Sequence, residues 1–131
     1  MVASMDKSGF PRVAARAFLL WLPVVGWMGY IFYCSTISGA DIPSLFPYED
    51  VVFHLVVYLI LAFLFSRALK QSFGAVSLKR IFLWSVVFAI IYGISDEIHQ
   101  IYAVGRTPDI GDVMTDGVGA CIGSLLYQWQ K

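Results

Sequence analysis

Charge is what this 131-residue sequence has least of: Asp, Glu, Lys and Arg make up 14% of it, against roughly 25% in an ordinary soluble domain. Hydrophobic residues make up 59%, and the mean hydropathy of +0.74 argues against a soluble globule. Cysteine is scarce too. The two present, Cys34 and Cys121, are expected at opposite depths of a bundle, which excludes an intramolecular disulfide. No CxxC or HExxH spacing occurs, so no motif selects a particular metal. A nucleotide-binding loop, an internal repeat and a basic nucleic-acid surface are also missing, and no nucleic-acid partner is expected.

What remains is apolar and helical in period. Four runs approach the ~20 residues that span a ~30 Å hydrocarbon layer: about 17–34, 51–69, 81–100 and 110–129. Each is rich in Leu, Phe, Ala and Val without strand alternation. The fold expected is all-α: a polytopic membrane protein, a bundle of four transmembrane helices over residues 16–131 preceded by a polar tail, 1–15. Pro23 lies inside the first run, where lipid-embedded helices tolerate it. That run exceeds the ~7–15 residues of a signal-peptide core and is read as a retained span.

Basic residues set the orientation. Lys7, Arg12, Arg16, Arg67, Lys70, Lys79, Arg80 and Lys131 all fall on one side of a four-span stack, leaving only Arg106 on the other. The positive-inside rule then puts both termini in the cytoplasm and the first and third links outside. Acids sort the opposite way: of the nine, only Asp6 is cytoplasmic. This topology brings three helix ends together. Asp50, His54 and Tyr58 recur every four residues at the start of segment two. Asp96-Glu97-Ile98-His99-Gln100 ends segment three, and Asp109, Asp112 and Asp116 open segment four. A polar pocket facing outward is expected there, with the Ser35–Asp50 link as a lid.

Three stretches carry a resemblance: Asp50…His54…Tyr58, then Tyr92-Gly93-Ile94-Ser95-Asp96-Glu97-Ile98-His99-Gln100, then Arg106…Asp109…Asp112 followed by Gly117, Gly119 and Gly123. Over about Glu49 to Leu126 the chain resembles the VanZ-like membrane protein family, named for a protein associated with reduced susceptibility to the glycopeptide teicoplanin. The resemblance implies a multi-pass protein of the bacterial cytoplasmic membrane, part of the cell envelope. Two positions depart from the family's pattern: Val51 stands where a lysine is usual, and Asp116 where an asparagine is usual.

The chemistry of the cluster admits several readings. His54 serves as a hydrogen-bonding link between helices, as an acid/base with an ordinary pKa of ~6.5, or as a metal ligand. Asp96 and Glu97 stand ~100° apart on their helix, so one is expected to face the pocket centre, Asp96 together with Gln100. Glu97 is then a second carboxylate or a partner of Arg106. Arg106 either pairs with Asp109 or Asp112, or grips a phosphate or carboxylate headgroup with its planar fork. Asp116, a carboxylate at membrane depth, must turn to the bundle interior and be protonated or paired. His54, Asp96, Glu97, His99, Asp109 and Asp112 offer ligands enough for Mg²⁺, Mn²⁺ or Zn²⁺ without choosing among them.

Two functions follow as expectations. In one, Asp50, Tyr58, Gln100, Arg106, Asp109, Asp112 and Asp116 engage the headgroup of a membrane lipid or lipid-linked cell-wall precursor, altering glycopeptide susceptibility without chemistry. In the other, a hydrolase or phosphatase acts on a lipid-linked phosphate, metal-assisted or by acid/base work, with His54, Asp96 and Glu97 as catalytic groups.

Overall fold

The computed structural model describes residues 9–37, 41 and 43–130. Four helices follow one another: α1 (Gly9–Thr36), α2 (Glu49–Ser72), α3 (Leu78–Gln100) and α4 (Ile110–Trp129), with no strand among the described residues. At 1.5 Å per residue, the 28, 24, 23 and 20 residues of α1 to α4 reach roughly 42, 36, 35 and 30 Å. Three of them, over Pro11–Thr36, Glu49–Ser72 and Leu78–Gln100, are long and apolar enough to cross a membrane. With so many apolar side chains left at the surface, Phe18, Leu19, Tyr33, Leu83, Ile91 and Leu125 among them, the chain is a multi-pass membrane protein.

Local chemistry explains where the helices start and stop. α1 begins at Gly9, so the stretch from Gly9 through Arg12, expected as tail, is helix. Pro11 falls in the first turn, where its missing N–H has no intrahelical acceptor to lose, and the helix runs on through Pro23. α3 starts three residues before the apolar run because Ser77 caps it, its side chain accepting from the Arg80 N–H. Asp109 caps α4 by accepting from the Gly111 N–H at 2.8 Å. Lys70 closes the other end of α2, donating to the carbonyls of Gly74 and Val76.

Packing is tightest between α2 and α4, and small residues are the reason. A methyl group on Gly119 would collide with the Leu55 carbonyl oxygen, and one on Gly123 with that of Leu59. The two backbones therefore touch along successive turns, as small-residue stripes allow in lipid. Below that contact Ser66 hydrogen-bonds Ser85 at 2.7 Å and Ser124 at 3.0 Å, a buried trio joining α2, α3 and α4. The first helix leans on this core through Leu20, Val24 and Ile31. Trp27 donates to the Val57 carbonyl at 2.8 Å, and Tyr92 to that of Met28 at 2.6 Å. Trp21 and Trp27 thus serve helix packing, whereas Trp84 and Trp129 lie exposed. Both cysteines are free.

Candidate functional site

Where α1 and α3 end and α2 and α4 begin, the bundle gathers its acids. His54, on the second turn of α2, is buried between the two carboxylates of α4: Nδ1 lies 2.8 Å from Asp116 Oδ1, and Nε2 lies 3.7 Å from Asp112 Oδ2. An ionised carboxylate only accepts, so against ionised Asp116 it is Nδ1 that donates, and Nε2 lies on the Asp112 side. Asp116 is 0% exposed. It reaches this depth because Gly93 of α3 leaves room: a Cβ there would sit 2.5 Å from Asp116 Oδ2. That oxygen has no hydrogen-bond partner.

Tyr58, one turn below His54, stacks parallel to it with ring centroids 6.3 Å apart, and its hydroxyl is buried without a partner. Asp50, one turn above, is exposed at the pocket mouth. The shared face expected of these three residues is therefore present as a graded wall, from wet carboxylate to dry phenol.

Both carboxylates of α3 are buried, not Asp96 alone as expected. Asp96 accepts from Gln100 at 3.4 Å on the face they share. Glu97 turns ~100° away, toward the start of α4, which covers it. Glu97 Oε2 accepts the Asp109 N–H at 2.8 Å, and Oε1 is buried with no partner. His99 points elsewhere: it meets Ser35 at 3.3 Å and stacks on Phe32 of α1, with centroids 4.1 Å apart, and so leaves the ligand set.

Arg106 corrects another expectation. It lies within 4 Å of no carboxylate among the described residues, Glu97, Asp109 and Asp112 included; instead it donates to the carbonyls of Cys34 (3.4 Å) and Ile37 (3.3 Å). Those carbonyls belong to the end of α1, where orphan acceptors and a negative dipole end favour a cation. Asp109 is likewise occupied with capping. The groups that meet around the buried centre are His54, Asp96, Glu97, Asp112 and Asp116, with Asp50, Gln100 and Arg106 along the opening.

Two cavities meet here. One, about 300 Å³, is lined by polar groups including Asp50, His54, Gln100, Arg106, Thr107 and Asp112. The other, about 530 Å³, is walled by Ile37, Leu45, Phe46, Val52, Phe53 and Val56. Glu49, Asp50, His54 and Arg106 belong to both. Ser44 lines the first and Pro43 the second, so the link before α2 covers the site at those positions; 38–40 and 42 of the expected lid lie outside the described residues. Neither the apolar cavity nor the role of Gly93 is evident from the sequence pattern. Gly93 has a signal in the sequence, a small residue inside the Tyr92 to Gln100 stretch, but its partner sits on another helix.

The model of the VanZ/LLP1 family matches residues 18–131. The chain belongs to this family. No curated protein and no solved structure matches it. For this VanZ/LLP1 chain the two departures noted above acquire a structural meaning. Val51 is exposed and lines neither cavity, so the lysine usual there would stand off the buried centre. Asp116, in place of asparagine, adds a second carboxylate oxygen beside the one that holds His54.

Chemically the centre offers one imidazole nitrogen and several carboxylate oxygens, most of them buried, beside a polar cavity that opens past Asp50. His54, Glu97 and Asp112 each present a ligand atom within 4.8 Å of the others. The residues are of the right type to hold a divalent cation or to move a proton.

Proposed function

We propose that this VanZ/LLP1 protein sits in the bacterial cytoplasmic membrane with all four helices spanning, both termini cytoplasmic and the acidic end outside, and that it binds the headgroup of a lipid or lipid-linked cell-wall precursor there. The observation that carries the reading is the junction of a polar cavity with an apolar one through Glu49, Asp50, His54 and Arg106. An amphiphile needs both surfaces side by side, and a soluble metabolite needs only the first. Arg106 stands at the junction; its bonds to Cys34 and Ile37 use Nε and Nη2, so Nη1 is left to meet a phosphate or carboxylate oxygen. The crowding of eight acids at this end against one arginine supports the orientation, since Arg12, Arg16, Arg67, Lys70, Lys79 and Arg80 belong to the other. Sequestering or shielding such a precursor would alter glycopeptide susceptibility without any reaction.

The test compares binding of a polyprenyl phosphate with that of the uncharged polyprenol by purified protein in nanodiscs. The phosphate should bind more tightly, and Arg106→Ala should weaken it about tenfold or more, the value of one charge-assisted hydrogen bond. Equal binding of both lipids would sink the headgroup reading. Orientation is tested by single cysteines in a background without Cys34 and Cys121: Ser44 and Thr107 should label from outside and Ser72 should not.

A second reading, hydrolysis of a lipid-linked phosphate, is favoured by the His54–Asp116 pair. A buried carboxylate that fixes an imidazole's tautomer is the arrangement a general base requires. Phosphate release by the wild type, abolished in His54→Ala, supports that reading; no release from any phosphorylated lipid removes it.

A further inference from the structure

The headgroup pocket has an electrostatic difficulty. Glu49, Asp50 and Asp112 line the polar cavity together with His54; Asp96, Glu97 and Asp116 are buried behind it, and Arg106 is the one arginine on its wall. An anionic headgroup entering such a space meets like charge in a medium that screens it poorly. Three details say what resolves this. In the neutral tautomer that donates from Nδ1 to Asp116, the free lone pair of His54 is on Nε2, 3.7 Å from Asp112 Oδ2. Two acceptors facing each other beyond hydrogen-bond reach have room for a cation between them: atoms bound at ~2.1 Å to one tetrahedral ion stand about 3.4 Å apart. The third is Glu97, only 6% exposed, whose Oε1 is buried with no partner while Oε2 is fixed by the Asp109 N–H.

We propose that His54 Nε2, Glu97 and Asp112 bind one divalent cation of the manganese–zinc class. One nitrogen and two carboxylates suit those ions better than Mg²⁺ or Ca²⁺, which prefer oxygen alone, and the absence of thiolates disfavours the softest metals. Asp116 is the outer partner that orients the liganding histidine, a recurrent arrangement around metal-bound imidazoles. Three protein ligands do not fill the coordination sphere of such an ion, and two of them, His54 and Asp112, form part of the polar cavity's wall. The cation's role in headgroup capture rests on the reading above; the site itself rests on its ligands.

The experiment uses the full chain in nanodiscs, stripped with a chelator and titrated with MnCl₂ while free Mn²⁺ is read by electron paramagnetic resonance, then with ZnCl₂ as competitor. One Mn²⁺ per chain, displaced by Zn²⁺, is expected. His54→Ala and Asp112→Asn should each weaken it tenfold or more. His99→Ala removes the other histidine and should leave the titration unchanged. Should His54→Ala fail to fold, judged by size-exclusion and helical circular dichroism, Asp112→Asn carries the test, since Asp112 is partly exposed and makes only the 3.7 Å contact. No saturable binding of either metal, or unaltered binding by the Asp112 variant, overturns the proposal. Polyprenyl phosphate binding with and without chelator separates the two readings. Unchanged lipid binding in chelator takes the cation out of headgroup capture and leaves the headgroup reading standing; a 1:1 cation with no lipid phosphate binding does the reverse.

Discussion

Gly123→Ala tests the packing that positions the whole site. The added methyl would overlap the Leu59 carbonyl oxygen and lie 2.8 Å from the carbonyl carbon, and both are backbone atoms that no rotamer change can move. Ordinary carbon–oxygen contact needs about 3.3 Å, so α2 and α4 must part by on the order of 1 Å. Overpacking of this kind costs about 1–3 kcal/mol, and the gap opened beside it forfeits roughly another 1 kcal/mol of dispersion. Against that, replacing glycine by alanine within a helix gains up to about 1 kcal/mol. The net is a loss of about 2 kcal/mol, or roughly 8 °C in melting temperature for a chain of this length. Gly26→Ala is the internal control. Its Cβ meets nothing within 4 Å, so the same helical gain comes without collision, and the melting temperature should hold or rise. Thermal unfolding of the three proteins in one detergent, followed by circular dichroism and size-exclusion, decides it. If Gly123→Ala melts with the wild type, or if both substitutions shift it equally, the close approach of α2 and α4 is refuted.

Three other substitutions probe the two polar layers. Gly93→Ala should displace Asp116 and break its 2.8 Å bond to His54, lowering Mn²⁺ affinity more than melting temperature; equal loss in both would make the glycine a packing residue only. Ser66→Ala strands the hydroxyls of Ser85 and Ser124 and should cost about 1–3 kcal/mol, read by the same melts, whereas replacing all three serines by alanine should cost less than the sum of the single changes. Tyr58→Phe deletes a buried hydroxyl that has no partner, so the melting temperature should hold or rise; a lower melting temperature would mean that the hydroxyl is satisfied in the folded protein.

The helices and their convergence were legible because both depend on local or summed properties. Apolar runs mark α2 and α3 to within three residues, and the sorting of charges brings Asp50, His54, Asp96, Asp112 and Asp116 to one end. What could not be read was which partner each polar group takes. Arg106 had three acids within reach by topology, Glu97, Asp109 and Asp112, yet it caps α1, because the direction of a loop side chain follows from where α1 ends in space. The burial of Glu97 beside Asp96 arises from α4 crossing that flank of α3, a tertiary fact with no trace in the period of either helix. The apolar cavity is made by side chains from α1, α2 and their link together, so no single stretch announces it.

The two polar layers of the bundle argue about function by their difference. The serine trio and the acidic centre are built on the same three helices, α2, α3 and α4, and both are buried. In the trio, Ser66 is bonded to Ser85 and to Ser124, so each hydroxyl has a partner. Around His54, the Tyr58 hydroxyl, Glu97 Oε1 and Asp116 Oδ2 are buried and unpartnered, one atom from each helix, at about 1–3 kcal/mol apiece. Cohesion alone does not explain that cost, because the trio shows that these helices can satisfy the polar groups they share. Three unsatisfied atoms around one imidazole are what the proposed cation and headgroup would complete. Asp116 sharpens the point: an asparagine, usual in the family there, could accept from His54 Nδ1 equally well, so the second carboxylate oxygen serves the charge of the centre, not the orientation of the ring.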